Sequence, residues 1–389
     1  MNGIVCEFNP FHNGHKYLLS KAKENGKKNI CVMSGNFVQR GEIALFDKYS
    51  RAEMALKNGA DVIIDLPIGW SMSGAENFAL GAVSLLKNTG IVDNIVFGCE
   101  NDNKQLYCSL RDLLLSEEVY NNIKERSLSG ETYAAVREKV VEEISPQCAQ
   151  ILSNPNSTLG LQYMIAAKQL DFNVDFSPIL RIGAVHDSNV TDNEFSSASN
   201  LRSHFYNGNS GDIIGFFPRN IVDKVQTLPY SNPDLIEKAI LFKLRSLSIS
   251  DISMLPDISE GIENRIYEKI RTASSLEELL MSIKTKRYTL ARIRRIIMCA
   301  AFGVNNSFLK KEVPYIHIIG YNKECENLVS AISKNSNIPV IISGKDAKKL
   351  EGFAKEVFVT ESRASDLYGL SFSSIQKCGR EYTQPIIKI

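Results

Sequence analysis

The first hundred residues repeat a short apolar run, a polar turn and a helical stretch, and this repeat constrains the fold more than any other feature of the chain. The apolar runs predict strands at residues 4–8, 29–33, 61–66 and 94–97, with helices between them. Strands that alternate with helices form a parallel sheet with right-handed crossovers, and ligands bind beyond the carboxyl ends of its strands. The sequence therefore predicts an α/β, Rossmann-like domain with a site at that edge.

The rest of the chain changes character twice. Residues 106–141 are helical and charged, which predicts an insertion, and residues 175–182 read as a further strand. Strand signals then stop, so we place a domain boundary near residue 225, between a catalytic domain at residues 1–225 and a second domain at residues 226–389. The second domain is predicted to be mainly helical, with a small α/β part at its end.

Charge and cysteine content exclude several classes of function. Lys and Arg number 45 against 44 Asp and Glu, so the net charge of +1 provides no global attraction for nucleic acid or a membrane surface. We expect no DNA partner, and any anionic partner needs a local basic patch. The eight cysteines form no CxxC pair, which argues against a zinc site and a disulfide framework and favours a reducing compartment. We expect no metal-ligating residues.

Membrane signals are also missing from the sequence. No run of about 18 apolar residues occurs, and the chain opens on a strand-like run instead of a basic segment followed by an apolar one. We therefore expect a cytoplasmic location and no membrane partner.

The strongest chemical signal is the turn Glu7-Phe8-Asn9-Pro10-Phe11-His12-Asn13-Gly14-His15, between the first predicted strand and the first predicted helix. A helix N-terminus presents free N–H groups and about half a positive charge, which suits phosphate oxygens. His12 and His15 are three residues apart and can lie on one face of the first turn. Two imidazoles there can donate hydrogen bonds to an α-phosphate while pyrophosphate is displaced. We predict that both are catalytic in an ATP-using enzyme; the alternative is that they only cap the helix or pack.

Three further positions could hold a nucleotide. Gly98 follows a predicted strand, where the missing Cβ lets a base or ribose approach, although an ordinary turn explains it equally. Asn156 lies in a turn before a helix and could be a cap. Arg181 lies in an apolar strand context, where a cation needs an anion, either a ligand or a protein carboxylate. Additional candidates near the strand ends, with a solvated surface as the default for their charges, are Asn9, Gln39, Arg40 and Lys48.

Residues 284–295 contain six basic residues and no acidic one. On a helix that begins near Tyr288, the apolar residues face a core and the exposed face is basic, which suits a phosphate backbone. Tyr288 could stack on a base or a ribose. The alternative is a solvated charged face. The six basic residues are Lys284, Lys286, Arg287, Arg292, Arg294 and Arg295.

Residues 7–15 resemble the HxGH signature of the nucleotidyltransferase superfamily that includes class I aminoacyl-tRNA synthetases and small adenylyltransferases. The order and spacing of further phrases resemble the bacterial tRNA(Met) cytidine acetate ligase family over roughly residues 3–300. Ser157 departs from the family pattern, which has a second Asn there. The further phrases lie at residues 32–41, 97–101, 154–160, 181–187, 196–202 and 284–295.

The resemblance implies an ATP-dependent ligase that condenses acetate with ATP to acetyl-adenylate and pyrophosphate, and then acetylates N4 of the wobble cytidine of elongator tRNA(Met). It implies ATP with Mg²⁺, acetate and that tRNA as substrates, and the six basic residues as the tRNA-binding surface. Residues 196–202 resemble the superfamily's second phosphate motif, so Ser197, Ser199 and Arg202 would hold the β- and γ-phosphates. The other implied ATP-binding residues are Ile4, Val5, Cys6, Glu7, Phe8, Asn9, Pro10, Phe11, His12, Asn13, Gly14, His15, Lys16, Tyr17, Gly98, Asn156 and Arg181.

Two alternatives remain open. An adenylyltransferase could move AMP onto a phosphorylated metabolite and stop there, although a metabolite needs no basic helical surface. A non-catalytic RNA-binding protein could retain a degenerate nucleotide fold, although His12, Gly14 and His15 all stand in place. The sequence leaves open the acetate pocket, the basis of tRNA selection and the oligomeric state.

Overall fold

The computed structural model describes residues 1–127, 132–182, 195–259 and 261–389. Strands and helices alternate up to residue 206: β1 (Asn2–Cys6), α1 (Asn13–Lys23), β2 (Asn29–Ser34), β3 (Phe37–Val38), β4 (Glu42–Ile43), α2 (Lys48–Leu56), β5 (Val62–Leu66), α3 (Ile68–Ser71), α4 (Ala75–Asn88), β6 (Asn94–Cys99), α5 (Lys104–Leu115), α6 (Glu117–Arg126), α7 (Tyr133–Ile144), α8 (Pro146–Leu152), α9 (Pro155–Gln169), β7 (Asp175–Leu180) and α10 (Ala198–Tyr206).

The remaining elements are mainly helical: α11 (Val222–Thr227), α12 (Glu237–Arg245), α13 (Ile249–Ser253), α14 (Ile262–Thr272), α15 (Leu276–Ile283), α16 (Leu290–Phe302), α17 (Asn306–Leu309), β8 (Ile316–Tyr321), α18 (Glu326–Asn335), β9 (Val340–Ile341), α19 (Gly344–Ala347), α20 (Gly352–Gly369), α21 (Arg380–Thr383) and β10 (Ile387–Lys388). Short 3₁₀ segments lie at Ser210–Phe216, Arg219–Ile221, Pro233–Ile236 and Lys323–Cys325.

One sheet runs through the described molecule in the strand order β10-β8-β5-β2-β1-β6-β7, with β9 paired to β8. The strands β5, β2, β1, β6 and β7 pair with one another in parallel, which confirms the predicted Rossmann-like sheet. The first strand ends at Cys6, earlier than the predicted residue 8, because Phe8 has a φ of 48° in the left-handed region and cannot continue an extended strand. This turn brings the following residues across the carboxyl edge of the sheet.

The strands near the end of the chain belong to the same sheet as the first strands. β8 pairs antiparallel with β5, where Val62 lies opposite Tyr321, and β10 pairs with β8. Sheet membership therefore crosses the predicted boundary near residue 225, which stays a prediction. The helical region between them packs around buried aliphatic residues, which include Ile240, Leu244, Ile266, Ile293 and Ile297.

Lys48 ties the carboxyl-terminal helices to the sheet. Its ammonium is fully buried, so the default expectation of a solvated surface is wrong for this residue. Such a buried cation is tolerated because carboxylates surround it. Its Nζ lies 2.5 Å from Asp65 Oδ2 at the end of β5, 2.9 Å from Glu381 Oε1 in α21 and 3.2 Å from Glu361 Oε1 in α20. Within the described ranges, no helix has the length and apolarity needed to cross a bilayer.

Candidate functional site

A cleft of about 570 Å³ opens at the carboxyl edge of β1 and β6. Its volume lies in the range of small-ligand sites, roughly 300–1,000 Å³. Four segments that are distant in sequence converge on it, since β1, β6, β7 and α10 all end or begin there. The predicted residues that line it are Val5, Cys6, Glu7, Phe8, Asn9, His12, His15, Gln39, Arg40, Gly98, Asn156, Arg181, Ser197, Ser199 and Arg202.

The remaining predicted residues of the 4–17 loop do not line this cleft. Gly14 and Tyr17 line a smaller adjoining chamber of about 70 Å³ that shares His12, His15 and Arg181 with it. The other five residues either support the turn from the protein interior or face a separate surface groove. Ile4, Pro10 and Phe11 are buried, whereas Asn13 and Lys16 line the groove.

His12 and His15 cap the helix and line the cleft at the same time. The Gly14 N–H donates to Nδ1 of His12 at 3.0 Å, and the His12 N–H donates to Nδ1 of His15 at 3.3 Å. A neutral imidazole whose Nδ1 accepts carries its proton on Nε2. The capping alternative and the catalytic prediction are therefore compatible, because each ring keeps an Nε2–H donor on the side opposite its cap.

Both histidines are held neutral. Burial lowers the pKa of His12 to about 3, and the nearby Arg181 guanidinium acts in the same direction. Burial lowers the pKa of His15 well below its usual value, assisted by His12 and Arg181. At neutral pH the rings are therefore uncharged donors, and the positive charge at this point comes from Arg181 and the N-terminus of α1.

Glu100 organises the wall around Asn156, and sequence reasoning missed it. Asn156 Nδ2 donates to Glu100 Oε1 at 2.6 Å, and the Ser157 N–H and Oγ–H donate to Glu100 Oε2 at 2.9 and 2.7 Å. Burial acts to raise the pKa of Glu100, but these hydrogen bonds and Arg181 bring it below the usual value. Ser157 thus serves Glu100 where the family pattern has Asn. The available signal was a carboxylate three residues after a predicted strand.

Gly98 on β6 lies near Arg181, which directly follows the neighbouring strand β7. A Cβ at Gly98 would meet Arg181 Cγ at 3.5 Å, an ordinary contact, so protein packing alone does not demand glycine there. The Arg181 N–H donates to the Cys99 carbonyl, whereas its guanidinium makes no hydrogen bond within the described part of the chain. Residues 183–187 of the predicted 181–187 phrase lie outside the described residues.

Arg202 is largely buried and paired within the protein. Its side chain is 17% exposed, and it donates to the Asn9 carbonyl at 2.8 Å and to Glu42 Oε2 at 3.0 Å. Ser197 is the N-cap of α10, and its Oγ accepts the Asn200 N–H at 3.1 Å. The second phosphate motif therefore lines the cleft, and a protein carboxylate already pairs with its arginine.

Two buried side-chain atoms of residues that line the cleft lack a hydrogen-bond partner among the described residues. They are Nδ2 of Asn9, whose residue is 2% exposed, and Nε of Arg137 in the helical insertion. Asn9 is fixed by its Oδ1, which accepts the Leu45 N–H at 2.8 Å. A buried donor without an acceptor is costly, so each group is a candidate to donate to a bound ligand or to an ordered water. No sequence signal distinguishes Arg137 from other basic helical residues.

Potential metal ligands gather away from the cleft. Within the described ranges, Asp65, His317 and Glu381 place possible ligand atoms within 4.8 Å of one another. The Lys48 ammonium already lies against two of these residues, and none of the three lines the cleft. We assign this group to the stability of the fold.

The six basic residues fall into two groups. Lys284, Lys286 and Arg287 are exposed. The other three lie on α16 and are half-buried: Arg292 donates to the Asp257 carbonyl, Arg295 pairs with Asp257 at 3.0 Å, and Arg294 pairs with Glu42 at 2.9 Å. The structure therefore does not present all six on one open face.

Tyr288 is not available for stacking. Its ring is 9% exposed, and the Arg292 guanidinium lies over it at 5.4 Å. The prediction that Tyr288 stacks on a base is wrong, because the residue packs under the start of α16.

The cleft is large enough for a nucleotide, lies at the carboxyl edge of a parallel sheet and is lined by the two histidines that cap α1. These features are typical of α/β nucleotidyltransferases. The family model described as HIGH Nucleotidyl Transferase accordingly matches residues 1–383.

Similar proteins narrow the class. The chain is 34% identical to the tRNA(Met) cytidine acetate ligase of Thermoanaerobacter sp. (strain X514), over 100% of this chain and 99% of that protein. It is 35% identical to the protein of that name from Acetivibrio thermocellus, over 99% of each. The apo crystal structure of Thermotoga maritima TmcAL is similar with a TM-score of 0.92 at 28% identity, covering 100% of this chain and 99% of that one. The structure of that protein bound with alpha-thio ATP is similar with a TM-score of 0.90. The chain belongs to the tRNA(Met) cytidine acetate ligase family.

Proposed function

We propose that this protein activates acetate with ATP as acetyl-adenylate and transfers the acetyl group to N4 of the wobble cytidine of elongator tRNA(Met). The observation that carries the proposal is the pair of neutral imidazoles, His12 and His15, at a helix N-terminus inside the nucleotide-sized cleft. The relatives that share the whole chain are named for this reaction.

In the first step an acetate oxygen attacks the α-phosphorus of ATP, and the bond to the bridging oxygen breaks as pyrophosphate leaves. Charge builds up on the α-phosphate oxygens. The Nε2–H groups of His12 and His15 and the free amides of α1 donate to these oxygens, and Arg181 supplies positive charge beside them. We take ATP to enter as its magnesium complex, with phosphate oxygens as the principal ligands.

In the second step the N4 amine attacks the acetyl carbonyl, and AMP leaves. A cysteine nucleophile is not needed, since a mixed anhydride is already a reactive acyl donor. Cys6 lines the cleft, but burial, together with the neighbouring Cys31, raises the pKa of its thiol well above the usual value. The thiol therefore stays protonated and is a poor nucleophile at neutral pH.

For tRNA binding we propose the six basic residues of the 284–295 stretch, in unequal roles. Lys284, Lys286 and Arg287 are exposed and can reach a phosphate backbone directly. Arg292, Arg294 and Arg295 already pair with protein acceptors, so they hold the surface in place and offer only their remaining N–H groups.

The decisive experiment combines the protein, ATP, magnesium, labelled acetate and unfractionated tRNA, followed by digestion of the RNA to nucleosides. We expect labelled N4-acetylcytidine only when every component is present. Label from the α-phosphate of ATP in a small product without tRNA would support the adenylyltransferase alternative instead. ATP binding without acetate-dependent exchange of pyrophosphate would support the non-catalytic alternative.

A further inference from the structure

We propose that Glu7 is the catalytic base of the acetyl-transfer step: its free carboxylate oxygen accepts a hydrogen bond from the N4 amine of cytosine and then its proton. This inference rests on the proposed function and adds a residue to its second step.

The strand order divides the cleft into two sides. β6 and β7 lie on one side of β1 and carry Gly98 and Arg181, whereas β2 lies on the other side and leads into the β3–β4 hairpin. The histidine turn lies between these sides. If the adenosine lies on the β6–β7 side with the α-phosphate at the histidines, pyrophosphate leaves toward Arg202 beside the hairpin. The acceptor base then approaches from the hairpin side once pyrophosphate has left.

Glu7 faces the hairpin side. It follows β1 directly, and its Oε1 accepts the Gln39 N–H of the hairpin at 2.9 Å. Its Oε2 makes no hydrogen bond within the described part of the molecule.

The only other acidic residue among the described residues that line the cleft is already occupied. Glu42 accepts from Arg202 through Oε2 at 3.0 Å and from Arg294 through Oε1 at 2.9 Å. Among the described residues that line the cleft, only the Glu7 carboxylate therefore has an oxygen available to a substrate.

A carboxylate matches the edge of cytosine. It accepts hydrogen bonds from the exocyclic amine of cytosine, whereas uracil presents a carbonyl oxygen at that position and would be repelled. As N4 attacks the acetyl carbon, the new C–N bond forms and the C–O bond to the adenylate breaks. AMP leaves with that electron pair, and the N4 proton passes to Oε2 of Glu7 and later to solvent. Every atom and charge is then accounted for.

The surroundings of Glu7 tune it for this task. Burial raises the pKa of its carboxyl above the usual value, and Glu42 of β4 adds to the rise, whereas the Gln39 N–H, Arg202 of α10 and Arg51 of α2 oppose it. The net effect is a more basic carboxylate, and a base works best when its pKa approaches the working pH.

The test uses Glu7→Gln, because the amide oxygen can still accept the Gln39 N–H. Two reactions are measured: acetate-dependent pyrophosphate–ATP exchange, and single-turnover transfer from acetyl-adenylate to tRNA. We expect transfer to fall at least ~100-fold, and at least ~10-fold more than exchange, which measures any loss of ATP binding at this loop. Glu356→Gln is the matched control; this residue is exposed on α20, and both rates should be unchanged.

The pH profile provides a readout that a structural role would not change. Wild-type transfer should rise with pH as Glu7 ionises and then level off, Glu7→Gln should lose this inflection, and Glu7→Asp should restore part of the rate with a shifted inflection. Equal losses in exchange and transfer, or unimpaired transfer by Glu7→Gln, would overturn the inference. If the wild type exchanges pyrophosphate but acetylates no tRNA cytidine, the proposed function itself is wrong. If the wild type does acetylate tRNA, the proposed function holds, and the variants then test only the role of Glu7.

Discussion

Nδ1 of His15 accepts the backbone N–H of His12, and the two rings lie 3.9 Å apart between centroids. Each imidazole is thereby fixed by the first turn of α1 through one nitrogen, while the other nitrogen remains a donor. The same hydrogen bonds that begin the helix therefore select the tautomer that our proposal requires for donation to a phosphate. Capping and the proposed catalytic role depend on different atoms of one side chain, so substitutions can separate them.

Substitution of His15 by Asn or by Gln should have opposite effects on stability and catalysis. Asn places an acceptor near the position of Nδ1 and keeps the cap but removes the Nε2–H, so exchange should fall ~100-fold or more with stability retained. Gln reaches the position of Nε2 but loses the cap, so the variant should be less stable by about 1 kcal/mol and keep more activity. Exchange kinetics and urea unfolding measure the two effects. Equal activity losses in both variants would contradict the separation.

His12 should stay neutral in the free protein throughout the range in which histidines usually titrate. Its pKa is lowered to about 3, so the ring gains a proton only far below its ordinary value. We expect the His12 signal in a ¹³C-histidine NMR titration to show no inflection between about pH 5 and pH 8. His12→Asn identifies the signal by its disappearance. A midpoint near the ordinary value would contradict the burial-driven shift.

Much of the parallel sheet and of the candidate site was predictable, because the sequence patterns that indicate them are local. The βαβ repeat, the histidine turn and the serine cap of α10 each depend on residues close in sequence. Gly98 and Arg181 reach the same cleft because parallel strands bring their carboxyl ends to one edge. The sheet class and most of the site lining therefore followed from the sequence.

The long-range pairings were not predictable from one sequence. The run at β8 reads as a strand, but nothing local says that it pairs antiparallel with β5. Lys48 reads as a surface charge, and its burial depends on carboxylates contributed by Asp65, Glu361 and Glu381, from three distant segments. Arg294 likewise meets Glu42 only after the helical region packs on the hairpin.

Gly41→Ala should destabilise the protein more than Gly26→Ala does. Both glycines have a positive φ, 73° and 75°, so each substitution incurs left-handed strain of about 1 kcal/mol. A Cβ at Gly41 would also lie 2.7 Å from the Arg295 backbone nitrogen, whereas nothing lies within 4 Å at Gly26. We expect an additional loss of about 1–3 kcal/mol in urea unfolding at Gly41. Equal losses would mean that the hairpin does not pack tightly on α16.

Removal of the exposed charges of residues 284–287 should weaken tRNA binding without affecting adenylate formation. In a variant with Lys284, Lys286 and Arg287 changed to Ser, we expect at least ~10-fold weaker binding, and a salt dependence of log K that is shallower by about 2–3. The matched control changes Lys345, Lys348 and Lys349, which are also exposed, to Ser. If this control weakens binding equally, a general charge effect replaces the local surface.

The buried Glu361 should make stability depend on pH. Burial raises its pKa to about 7; Lys48 opposes this, and Asp65 and Glu381 add to it. An acid with a raised pKa binds its proton more tightly in the folded state, so its contribution is present at low pH and is lost as pH rises through about 7. We expect the free energy of unfolding of the wild type, relative to that of Glu361→Gln, to fall by on the order of 2 kcal/mol between about pH 5 and pH 8.

A control variant that keeps Glu361 shows whether the pH dependence comes from this residue and not from another titrating group. Glu356→Gln removes a carboxylate from the exposed face of the same helix, where no buried cation is involved, so its difference from the wild type should stay constant with pH. Urea unfolding of the three proteins across the pH range measures both differences. If the difference in the free energy of unfolding between the wild type and Glu361→Gln does not change with pH, the Glu361 carboxyl has the same pKa in the folded and unfolded chains. The carboxylates around Lys48 would then all be ionised at neutral pH.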